Sequence, residues 1–238
     1  MESIEIAKEY YKGVKNLIGE ITMILYGSSV FGVKTSDLDL CFFNNQQLPA
    51  YEFDKIKKFT HDFHIINNLR IDEEIPYDNK LIYTFDFIES TLNNPPFPFC
   101  NGKFIIPKIQ KNSTFLNSLH MKKRLLLNIL TVKHVIIGND NELIDGYVNR
   151  AWEIILKTII SYSEKDEFSF EEIIECLYED PFDYNNGEMY LGYKNNLQEK
   201  KDFIEEQVCY YLNKLNKENK IEKTLIKSYI PNRSWLNE

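Results

Sequence analysis

No stretch of this 238-residue chain stays apolar for the roughly 18 residues a membrane-spanning helix needs, so no span is expected. The N-terminus, MESIEIAKEYYKG, has no basic start followed by an apolar core, so no secretory signal is expected either. Cysteine is sparse: Cys41, Cys100, Cys176 and Cys209 lie far apart, without a CxxC pair. That spacing argues against a zinc site, and three of the four sit among apolar neighbours, as small core residues do. A reducing compartment suits this usage, and a cytoplasmic location is the expectation. The chain has no internal repeat and no low-complexity tract. It also lacks GxxxxGK[ST], GxGxxG and GxSxG, which argues against three common enzyme classes.

Positive charge is in deficit. There are 28 basic and 36 acidic residues, for a net charge of −8. No extended nucleic-acid surface is expected, although a local basic pocket for a nucleotide remains compatible with this balance; the lack of a spanning segment makes no membrane partner the expectation as well. What the chain has in quantity is apolar and aromatic side chains, 43% and 14%, the composition of a folded domain.

Periodicity divides the chain in two. Ile4, Ala7, Tyr11, Val14 and Ile18 recur at helical spacing over residues 3–18. Strands are expected at 21–26, 37–43, 69–75 and 80–88, a helix at 51–63, and a proline-rich loop at 93–102. From about residue 113 the pattern is almost all helical, with one helix ending near Gly138, others over 143–159, 169–178 and 196–216, and a loop at 180–193. The expected fold class is α+β: an N-terminal α/β domain with a small mixed sheet, residues 1–108, followed by a C-terminal helical bundle, residues 109–238.

The chemistry concentrates in residues 25–40, LYGSSVFGVKTSDLDL. An apolar strand stops at Gly27-Ser28, and after an eight-residue gap a second strand opens on Asp37-Leu38-Asp39. Strand alternation puts both aspartates on one face, where they repel each other unless a cation separates them. Hard oxygen ligands suit Mg²⁺, which keeps positions open for substrate phosphates. Gly27 allows close backbone approach, and Ser28 offers a hydroxyl and an N–H where anions are favoured. A two-metal site needs a third carboxylate, and the candidates in order are Asp72, Glu74 and Asp86. Lys34, between the serines and the aspartates, reads either as a phosphate contact or as a solvated loop lysine.

The segment YGSSVFGVKTSDLDLCF resembles the signature of the polymerase β-type nucleotidyltransferase superfamily. The resemblance implies transfer of a nucleoside monophosphate from an NTP to an acceptor, with Mg²⁺ as cofactor and pyrophosphate leaving. It implies that Gly27 and Ser28, with Ser29, hold the triphosphate and that Asp37 and Asp39 bind metal. A third carboxylate, Asp72 by position with Glu74 beside it, would ligate metal and help deprotonate the acceptor hydroxyl. The acceptor is open: a small molecule, an RNA end or a protein. An alternative is a catalytically weak nucleotide-binding or regulatory module of a toxin–antitoxin or defence pair.

Two further groups stand out. Lys122, Lys123, Arg124, Lys133 and His134 gather basic charge in an acidic chain, as a charged helix face or as a phosphate contact. His61 and His64 are three apart but have no second ligand pair nearby.

Overall fold

The computed structural model describes residues 3–31, 38–70, 82–95, 99–100, 103–104, 119–162, 165–178 and 197–237. The fold is α+β with a small mixed sheet. Packing divides the chain into two compact units, residues 1–94 with 125–147, and residues 95–124 with 148–238. The expected division at residue 108 lies outside the described residues.

The first unit opens with α1 (Ser3–Ile18), whose Ala7, Tyr10, Tyr11 and Val14 are buried. Its end is sealed by Gly19 at φ +88°, whose N–H returns to the Lys15 carbonyl, a left-handed helix cap. β1 (Thr22–Tyr26) follows, then a 3-10 turn (Gly27–Phe31) and β2 (Asp39–Asn44). α2 (Ala50–Ile66) ends in a Schellman cap, with Asn68 at φ +54° and the Leu69 N–H bonded to the His64 carbonyl. Tyr11 donates to the Ile21 carbonyl at 2.9 Å, tying α1 to the start of β1. The Tyr10 and Thr60 hydroxyls meet at 2.6 Å, tying α1 to α2. Met23, Leu25, Leu40 and Phe42 join Ala7, Tyr10, Val14 and Ile56 in one core under the sheet. Each of the Met, Leu, Ile, Val and Phe side chains among them stabilises the fold by about 1.5–3 kcal/mol relative to exposure.

The strand expected over 80–88 is only partly a strand. β3 is Ile82–Thr84, and Phe85–Asn93 is a helix, α3. Thr84 explains the switch, because its Oγ1 accepts the Phe87 N–H at 3.1 Å, a side-chain N-cap. Phe85, Ile88 and Leu92 then fall at helical spacing despite their strand-like composition. The expected third strand, 69–75, lies outside the described residues from Ile71 onward. β4 (Phe99–Cys100) and β5 (Lys103–Phe104) form a two-residue pair where a plain loop was expected.

The nearly all-helical pattern after residue 113 also needs correction. α4 (Leu119–Thr131) stops well before Gly138, and Val135–Ile137 forms a strand, β6, which pairs with β1. Three β-branched residues closed by glycine are too short for periodicity to classify. The free edge of β1 supplies the partner. The sheet order is β3-β2-β1-β6, with β1 antiparallel to both neighbours and β3 parallel to β2.

α5 (Asn141–Tyr162) contributes to both units. In the second unit, α6 (Phe170–Tyr178) begins with a capping box, with Ser169 and Glu172 bonding each other's backbone N–H. α7 (Leu197–Lys217), a hairpin of β7 (Ile221–Lys223) and β8 (Tyr229–Pro231), and α8 (Arg233–Asn237) complete it. Its core stacks Trp152 on Tyr211 and Phe168 on Tyr229, with Trp235 Nε1 donating to Glu153 at 3.2 Å.

Candidate functional site

β1 ends at Tyr26, and Gly27 turns the chain out of the sheet at φ +71°, a left-handed conformation that favours glycine. Tyr26 lies opposite Asp39 in the antiparallel register. The first residue of β2 therefore stands beside the turn. The approach is close: a Cβ built on Gly27 would overlap the Asp39 carboxylate, with Asp39 Cγ at 2.7 Å. Conformation and space both demand glycine here.

Asp39 is half-buried and heads a row with Cys41 and Phe43 on one face of β2. Leu40 and Phe42 point to the core shared with α1 and α2. Cys41 and Phe43 are themselves fully buried, so the carboxylate stands at the rim of an apolar face. Burial pushes the Cys41 thiol far up, against a smaller lowering by the Ile24 backbone. It stays a neutral thiol, without thiolate reactivity.

β6 brings a second group to the same end of the sheet. Val135 pairs with Leu25, so Lys133 and His134 precede β6 at the end where Gly27 and Asp39 sit. The Lys133 ammonium lies 4.8 Å from the centroid of the Phe31 ring, at the close of the 3-10 turn. His134 Nδ1 is 2.9 Å from the Val132 carbonyl, which fixes it as the protonated nitrogen. Burial lowers the His134 pKa, opposed by that carbonyl and by Asp145. The strand-like VKHVII run is the signal that would have separated Lys133 and His134 from the helical lysines.

Other expected residues fall as follows. Ser29 is buried, so it does not present its hydroxyl to solvent. Ser28 lies in the turn. Lys34, Asp37, Asp72 and Glu74 lie outside the described residues. Asp86 is placed away from the site: Thr84 pairs with Asn44, at the opposite end of β2 from Asp39. Asp86 sits exposed in the first turn of α3, and six residues of strand separate the two ends, about 17 Å. His64 is buried, with Nδ1 2.7 Å from the Thr60 carbonyl, whereas His61 is exposed, so the two do not converge. Among the described residues no three His, Cys, Asp or Glu side chains gather as a metal site.

Comparison with protein-family models, curated proteins and solved structures returns no match in any of the three.

Proposed function

We propose that the protein is a Mg²⁺-dependent nucleotidyltransferase of the polymerase β type, moving an NMP from an NTP to an acceptor hydroxyl. The observation that carries the reading is the Asp39 carboxylate seated against Gly27, the contact the Gly-Ser and Asp-x-Asp pattern calls for. Carboxylate oxygens are the hard donors Mg²⁺ prefers, so the residues at this rim fit the metal. When bound, it would neutralise charge developing on the phosphates.

In this reading Asp37 and Asp39 hold the metal, and the backbone of Gly27 and Ser28 cradles the triphosphate. Lys133, beside the same turn, supplies positive charge to the phosphates. The acceptor oxygen attacks the α-phosphorus in line as the bond to pyrophosphate breaks. The acceptor proton passes to the third carboxylate. β3 is parallel to β2 and its last residue pairs with Asn44, so Asp86, which follows it, is the weakest of the three candidates. Asp72 and Glu74 keep the order expected from the sequence.

The test is incubation with each α-labelled NTP, Mg²⁺ and candidate acceptors, comparing wild type with Asp39→Asn and Asp37→Asn. Transfer should fall by at least about a hundredfold in either variant. Transfer at the wild-type rate in either variant would overturn the mechanism. Magnesium-dependent nucleotide binding without any transfer would favour the regulatory module.

A further inference from the structure

The second unit carries an apolar tip that the proposed chemistry does not use. Between β7 and β8 the chain turns through Thr224, Leu225, Ile226 and Lys227. Lys227 N–H donates to the Thr224 carbonyl at 3.1 Å, and Thr224 N–H donates to the Ser228 carbonyl at 2.9 Å. The Thr224 and Ser228 hydroxyls meet at 2.5 Å. Lys227 takes φ +65°, so the loop is a defined tight turn. Leu225 and Ile226, its two central residues, are 105% and 81% exposed, and Ile230 on β8 is 40% exposed.

Central turn positions ordinarily hold proline, glycine, asparagine, aspartate or serine. Leu225 and Ile226 keep negative φ, which such a turn tolerates, but neither joins the core. Large aliphatic side chains exposed at a turn tip, without a packing role in the second unit, point to a role outside it.

We infer that this tip inserts into a lipid surface bearing anionic headgroups. Lys223 and Lys227, both exposed, flank the aliphatic pair on the two sides of the turn. This arrangement lets the aliphatics enter the acyl boundary while ammonium groups meet phosphate and carboxylate headgroups. A stable protein interface needs about 800 Å² per partner. Three aliphatic side chains supply only a fraction of that, whereas insertion needs depth and not area. Of the nearby acids, Glu222 lies opposite Ile230 in the hairpin, behind the Leu225–Ile226 pair that leads the tip, and Glu167 accepts the Ser228 hydroxyl. The net charge of −8 acts weakly here, because charges beyond about 8 Å are screened at physiological salt. The proposal departs from the expectation of no membrane partner, which rested on the lack of a spanning segment.

The experiment is cosedimentation of the full chain with phosphatidylcholine vesicles, with and without phosphatidylserine. Melting temperatures confirm that the variants fold. Wild type should pellet with the serine-containing vesicles and be released by high salt. The double variant Leu225→Asp/Ile226→Asp should lose at least about tenfold in partitioning, and Lys223→Glu or Lys227→Glu about fivefold each. No pelleting by wild type overturns the proposal, as does pelleting that the double variant retains. A wild-type dimer in lipid-free solution that the double variant abolishes assigns the tip to a second copy of the chain instead.

Discussion

Gly27 and Asp39 share one small volume: the carboxylate lies where a side chain on Gly27 would have to be, and the left-handed φ of Gly27 aims the turn toward it. Gly27→Ala should therefore cost about 1–3 kcal/mol from backbone strain alone, with further loss from the overlap. Urea denaturation measures this directly. A variant as stable as wild type would mean that the carboxylate moves aside and that the turn relaxes.

Asp86 and Asp39 stand at opposite ends of β2 and β3. If the proposed reaction is the right one, Asp86→Asn should leave transfer within about twofold of wild type, whereas a group acting on the reacting atoms would cost far more. A tenfold loss in a variant with an unchanged melting temperature would contradict this topology.

The Tyr83 hydroxyl is buried and meets no hydrogen-bond partner among the described residues. Its ring packs against Phe43 and Phe87, and burial pushes its pKa well up, with a smaller push from Cys41. Tyr83→Phe removes an unsatisfied polar atom and keeps the ring, so it should stabilise the fold by about 1 kcal/mol. A destabilised variant would show that the hydroxyl has a partner after all.

His134 has its folded pKa lowered by burial below the ordinary 6.5. Between that lowered value and 6.5 the unfolded chain binds more protons than the folded one. The contribution of His134 is therefore fully present above pH 6.5 and is lost as pH falls toward the folded value. His134→Gln should flatten the acid side of the stability profile through that window. Parallel profiles for wild type and variant would remove His134 as the source.

Local patterning accounts for much of this protein. The spacing of Ala7, Val14 and Ile18 marked α1, and the Gly-Ser break and the Asp-x-Asp run marked the two strands that form the rim of the site. These are short-range signals, set by side-chain period and backbone freedom. Pairing between distant segments accounts for the rest. VII is strand-like in composition but too short to fix a strand until β1 offers its edge, and that pairing carries Lys133 to the turn at Gly27. Nothing in YTFDFI separates Asp86 from the site until the parallel register of β2 and β3 sends it to the far end. Alternation and helical period act over a few residues, whereas strand order and register depend on backbone hydrogen bonds between segments far apart in the chain, as Leu25 is from Val135 and Phe42 from Ile82.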